Sequence, residues 1–174
     1  SRPRRKSALV FFDGLIIFQS WTIWNQTQVH QKETIVLAHR TRNTILLHQL
    51  GDSISVITSD SDNIGTVSTD YAVAERIQKV NNSVLRNSYQ IGDKKLFVMD
   101  SLGILPLEEQ LDYLLLTQPS KINLERLIDS MQPKIILADG SSYPSLIAKW
   151  QATCIKKEIP FHYTGEKGCY MFKF

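Results

Sequence analysis

Two continuous apolar runs, residues 113–117 (YLLLT) and 134–138 (KIILA), flank an amphipathic segment. That alternation confines the C-terminal third to a few folds. A strand without polar alternation is covered on both faces. Between the runs, Asn123 can cap a helix whose apolar stripe is Leu124, Leu127, Ile128 and Met131, and Pro133 stops it. Ser142 followed by Pro144 predicts the cap and first-turn proline of a second helix. That helix buries Leu146, Ile147, Trp150 and Cys154 and ends before Pro160. Residues 161–163 and 169–172 are the expected last strands, linked by Gly165-Glu166-Lys167-Gly168. Strand–helix–strand–helix–strand with short links implies parallel pairing and right-handed crossovers.

The middle of the chain has a different rhythm. Residues 34–39 (TIVLAH), 44–49 (TILLHQ) and 53–59 (SISVITS) are β-rich and separated by Arg40-Thr41-Arg42-Asn43 and by the turn signal Leu50-Gly51-Asp52. They predict an antiparallel meander. Residues 60–68 are loop-like. Residues 69–85 show helical spacing at Tyr71, Ala74, Ile77 and Val84. Gly92-Asp93 is a turn, followed by a strand over 95–99. The expected fold class is α/β, with antiparallel N-terminal strands, a C-terminal βαβαβ unit and one hydrophobic helix in front.

The N-terminus is the third distinct region. The chain carries 20 Lys and Arg against 17 Asp and Glu. Arg2, Arg4, Arg5 and Lys6 account for the whole excess, so the body is nearly neutral. Residues 8–24 follow, apolar apart from Asp13, Gly14, Gln19, Ser20 and Thr22. As a helix they span roughly 25 Å, short of a hydrocarbon core of about 30 Å. Trp21 and Trp24 lie at the far end, where amphipathic aromatics favour a membrane interface. A signal peptide, an ordinary buried or amphipathic helix, and the end of a transmembrane helix all compete for this segment. A central Asp costs a lone span about 2.5–3.5 kcal/mol. If the segment spans, its basic side stays cytoplasmic and everything after Trp24 lies outside the cytoplasm. Residues 25–34 read as a polar linker. The division is then 1–28, basic cluster and membrane-type helix, and 29–174, the folded domain. With 43% hydrophobic residues and two cysteines, the composition excludes a multi-span membrane protein, a coiled coil and a disulfide scaffold.

Little in the sequence announces chemistry. His30, His39, His48 and His162 form no metal-binding pattern, although His39 and His48 are expected to face each other across an antiparallel pair. Cys154 falls on an apolar helix face as a buried thiol, and two cysteines alone make no zinc site. No phosphate-cradling glycine loop and no nucleophile elbow occurs. No metal or nucleotide cofactor is called for. Carboxylates gather at strand ends: Asp60, Asp62, Asp100 and Asp139. In open α/β sheets, ligands bind beyond the carboxyl ends of strands. Asp60, Asp62, Asp139 and Ser141 are therefore the candidate ligand-binding residues, the competing role of Asp139 and its serines being to cap the next helix. Arg40 and Arg42, at one hairpin tip, are the candidate nucleic-acid contacts. Lys149, Lys156 and Lys157 read as a solvated helix face.

Residues 34–62 (TIVLAHRTRNTILLHQLGDSISVITSDSD) resemble the opening strands of the metallo-β-lactamase-like domain at the C-terminus of ComEC-type competence proteins. Asp60 stands where the third strand ends in an acidic residue. Residues 111–174 resemble that family's closing βαβαβ segment, with Pro133-Lys134 before a strand, a D-G-S-S loop at 139–142, Trp150 in the helix, and Ile159-Pro160-Phe161-His162 ahead of Glu166-Lys167-Gly168. The form is most similar to that of Bacteroidetes-type bacteria. The resemblance implies a partial metallo-β-lactamase-like fold. It implies a DNA-uptake channel in the inner membrane, the channel part of the same longer chain as partner, contact with the membrane through residues 8–24, single-stranded DNA as a further partner, and this domain on the extracytoplasmic side. Active relatives carry H-x-H-x-D-H after an early strand, whereas residues 59–70 (SDSDNIGTVSTD) contain no histidine. The expectation is a non-catalytic domain. Two rival functions are a divergent hydrolase using Asp60, Asp62, Asp100 and Asp139, and a plain protein-interaction module.

Overall fold

The computed structural model describes residues 12–24, 33–103, 110–118 and 122–172. Helix α1 covers residues 12–24, and its apolar side chains, among them Phe12, Ile16, Phe18, Trp21 and Trp24, are exposed. Among the described residues no helix is long and apolar enough to cross a membrane. The basic cluster at 2–6 and most of the expected linker lie outside the described residues.

Among the described residues, ten strands form two five-stranded sheets. The first is ordered β10-β1-β2-β3-β4 and the second β5-β6-β7-β8-β9. In the first sheet, β1 (Glu33–Ala38), β2 (Ile45–Leu50) and β3 (Ser53–Thr58) make the expected antiparallel meander. β10 (Tyr170–Met171) adds to β1. In the second, β6 (Lys94–Met99), β7 (Tyr113–Leu116), β8 (Ile135–Ala138) and β9 (Phe161–Tyr163) run parallel, with α3 (Leu124–Met131) and α4 (Pro144–Lys156) as crossovers. Asn123 caps α3 as expected, its side chain accepting from the Arg126 N–H. Gln132 in the left-handed region ends that helix.

Period-2 side-chain alternation explains the layering. Ile35, Leu37 and Leu46 from the first sheet face Leu96, Val98, Tyr113, Leu115 and Leu137 from the second, making the core between the sheets. The opposite residues of the second sheet, including Phe97, Met99, Leu114, Leu116 and Ile136, bury Leu127, Ile128, Ile147 and Trp150 of α3 and α4. On the far side Val36, Ile45, Leu47, Ile54 and Val56 carry Val67 and Tyr71 of α2 (Val67–Ala74). The order of layers is helix, sheet, sheet, helix, so the central strands are apolar on both faces.

The expected helix over 69–85 is two elements. α2 ends at Ala74, Arg76 takes a left-handed φ of 54°, and β4 (Lys79–Val84) pairs parallel with β3. The open edge of β3 offers a full ladder of backbone partners, and the Asp52 carbonyl anchors the Gln78 and Lys79 N–H groups at its start. A short hairpin strand, β5 (Ser88–Ile91), precedes β6. The Gly165–Lys167 link is the turn of a short helix, α5 (Thr164–Lys167), rather than a loop. His39 and His48 do not face each other. Ile35 opposes His48, and His39 lies past the end of β1. Ser142 is not the cap of α4. Tyr143 holds that position without a side-chain bond, because the Ser142 hydroxyl donates to the Gln118 carbonyl instead.

Candidate functional site

The C-terminal ends of β1 and β3 and those of the parallel strands β6 to β9 come to one rim, where a contact between the β1–β2 and β8–α4 loops joins the two halves. The Arg42 N–H donates to the Gly140 carbonyl at 2.8 Å. A side chain on Gly140 would stand 2.5 Å from the Arg40 carbonyl oxygen and 2.7 Å from the His39 ring, so this approach requires glycine. Arg42 itself has a φ of 62°.

Asn43 organises one side of the rim. It is fully buried. Its amide donates to the carbonyls of Asp60 and Asn63, both at 2.9 Å. Its oxygen accepts from Thr58 Oγ1 (3.0 Å), Ser59 Oγ (2.9 Å) and the Asp60 N–H (3.2 Å). Both termini of the loop after β3 are thereby tied to the β1–β2 turn. Arg40 Nη2 donates to Asn63 Oδ1, and its guanidinium lies against Gly65. Arg40 is thus a half-buried brace, while Arg42 is exposed. The two share a turn, as expected, but only Arg42 faces solvent freely.

Asp139 organises the other side. It follows β8 and is fully buried. Its Oδ1 accepts from both the N–H and the hydroxyl of Ser141. Ser141 Oγ in turn accepts from the Gln118 N–H at 2.6 Å, joining the ends of β7 and β8. Burial pushes the Asp139 carboxyl up to about 6, and the hydroxyls of Ser141 and Thr44 oppose that rise. Asp139 Oδ2 and the neighbouring Thr44 Oγ1 are both buried, and neither makes a well-formed hydrogen bond. Asp139 therefore braces its own loop and does not cap α4. His39 donates to or accepts from Thr164 Oγ1 at 3.0 Å and meets Tyr163 edge-on.

The other carboxylates have separate local partners. Asp60 Oδ1 accepts from the Asp62 N–H in the 3-10 turn Ser61–Asn63. Asp100 accepts from the Leu102 N–H and from Asn87 Nδ2. The β1–β2 loop stands between the Asp60 turn and the Asp139 turn. Among the described residues no group of three or more His, Cys, Asp or Glu is arranged to hold a metal ion. A zinc site of the hydrolase type needs three or four such ligands, and this rim does not fit one. Cys154 is buried, its thiol pushed up to about 11, and Cys169 is an exposed free thiol. Lys156 and Lys157 are engaged with Glu125 and Asp129 across α3 and α4.

The sequence reading missed Asn43, Thr44 and Gln118. The signal for Asn43 was an amide directly before a β-rich run, where no strand position calls for one. Residues 35–174 match the family model described as the ComEC C-terminal domain. No curated protein and no solved structure matches the chain.

Proposed function

This chain belongs to the ComEC C-terminal domain family, and from that membership we propose that it serves competence DNA uptake as a non-catalytic, extracytoplasmic domain. The match over residues 35–174 carries the proposal, since the family points to a membrane-associated uptake protein. Residues 1–28 form the membrane-facing part in this reading, and residues 29–174 the domain. The exposed apolar surface of α1 supports that division. Its partners are the bilayer, the channel part of the same longer protein, and single-stranded DNA.

The four-layer arrangement, with parallel strand ends meeting at one rim, supports a metallo-β-lactamase-like origin. The residues at that rim support loss of catalysis. Asn43 and Asp139 spend their hydrogen bonds on holding loops together, so the rim works as a structural clasp between the sheets. Catalysis is tested by elemental analysis of the purified chain together with a nuclease assay on single-stranded DNA. Stoichiometric zinc accompanied by chelator-sensitive cleavage would overturn the non-catalytic reading. Absence of cleavage with zinc supplied in excess is the expected result.

A further inference from the structure

β4 is exposed along its whole length, and among the described residues no strand pairs with its outer edge. It runs parallel to β3. The Lys79 N–H donates to the Asp52 carbonyl at the start of that ladder, and the Leu85 N–H to the Thr58 carbonyl at its end. Backbone direction alternates along a strand. Lys79, Asn81 and Ser83 therefore turn their N–H and C=O groups to β3, and Val80, Asn82 and Val84 turn theirs to the open edge. Natural sheets blunt such an edge with proline, a bulge or charges along it. β4 has no proline and an unbroken register, and its single charge is Lys79, at its first residue.

Val80 and Asn82 oppose Ile54 and Val56 of β3, so the face they share with Val84 is the one that carries α2. α2 leaves it open, since Val80 is 51% and Val84 80% exposed. Val80 lines a groove of about 480 Å³ with Ala72, Val73 and Ile77, and Val73 is itself exposed.

A second copy of the chain, running antiparallel, complements this edge. A two-fold axis through Asn82 sets Val80 opposite Val84 of the second copy, Asn82 opposite Asn82, and Asn81 opposite Ser83. Each outward residue then exchanges both backbone hydrogen bonds with the residue it opposes. Valine meets valine on the α2 face, and the asparagine amide, both donor and acceptor, meets its own kind. A shift of two residues would set valine against asparagine. Charge is compatible with the same register. Each Lys79 lies opposite Leu85, and the two Lys79 residues stand about 20 Å apart along the strands, beyond the screening length of about 8 Å at physiological salt. One strand and one groove from each copy supply less than the roughly 800 Å² per partner of a standard interface, so the association is weak and reversible.

We propose that β4 is a self-docking edge, through which two copies join about a two-fold axis at Asn82 and extend the first sheet across both. The same surface is used on each copy, so the contact closes as a dimer and leaves no free β4 edge for a third.

The test is made on the 174-residue chain in a mild non-ionic detergent that covers the apolar surface of α1. Sedimentation equilibrium at about 100 μM should detect a dimer. Asn82→Pro removes an outward N–H without touching the β3 ladder, and Val84→Lys places a charge opposite Val80 of the second copy. Each should weaken association by at least about tenfold, with an unchanged circular dichroism spectrum. Val84 is exposed, so Val84→Lys decides the matter if Asn82→Pro disturbs the fold. Register is read by cysteine pairing in a Cys169→Ser background. Asn82→Cys places two thiols at a Cα separation of about 5.5 Å, within disulfide reach, whereas Ser83→Cys places them about 8 Å apart. Mild oxidation should link the first and not the second. A monomeric native chain, association undiminished by Val84→Lys, or equal linkage at the two positions would overturn the proposal.

Discussion

Asp139 is a carboxyl group buried in the clasp between two sheets, and its protonation is coupled to folding. Its folded value of about 6 lies above the ordinary carboxylate value of about 3.9. Between these values the folded chain binds more protons than the unfolded one, so stability falls as pH rises through that window. Its contribution is complete below about pH 4 and lost above about pH 6. Asp139→Asn keeps an oxygen for the Ser141 donors and carries no charge. The stability of this variant relative to the native chain should therefore rise from about pH 4 to about pH 7.5, by on the order of 2–3 kcal/mol. Urea denaturation at the two pH values measures it, and a difference that does not change with pH would contradict the assignment. The sequence placed Asp139 correctly at a strand end, because a strand followed by D-G-S-S shows where the chain turns. The duty of the side chain was not legible. Its partner Ser141, the Gln118 N–H that donates to Ser141, and the neighbouring Thr44 come from three loops, and only the packing of the two sheets brings Thr44 beside it.

The elements divide by how local their causes are. α3 was legible because its cap, stripe and stop are written within a few residues of each other; α4 was legible from its first-turn proline, its stripe and its stop, although Tyr143 and not Ser142 holds the cap position. β7 and β8 were legible because a strand buried on both faces is apolar throughout. β4 was not. Its residues, Lys79–Val84, are all exposed and carry no burial pattern of their own. What makes them a strand is the open edge of β3, a partner more than twenty residues away in sequence. The double-sided burial of β7 also sets the scale of a core truncation. Leu115 is fully buried between the sheets. Leu115→Ala should cost about 3 kcal/mol, since the sheets on either side cannot close over the missing atoms. Chemical denaturation reads that loss, and a change below about 1 kcal/mol would mean that the space between the sheets is not the close-packed layer described.

At the scale of the whole molecule, the chain joins an exposed apolar helix to a four-layer domain, and the proposed function requires the domain to lie outside the cytoplasm. The two cysteines report on this directly. Cys169 is exposed and Cys154 is buried with its thiol raised to about 11, and only a thiolate reacts readily. A membrane-impermeant maleimide applied to spheroplasts should label Cys169 without lysis and spare Cys154 until denaturation. Labelling of Cys169 only after lysis would reverse the topology. The charge balance is consistent with an outer domain that handles DNA weakly: the excess of positive charge sits at residues 2–6, and the body is near neutral. The central claim, that this domain serves DNA uptake, is tested most directly by transformation frequency in cells whose natural protein lacks residues 35–174. The account predicts a large fall, with the shortened protein still present in the membrane. Transformation at the native frequency would contradict it.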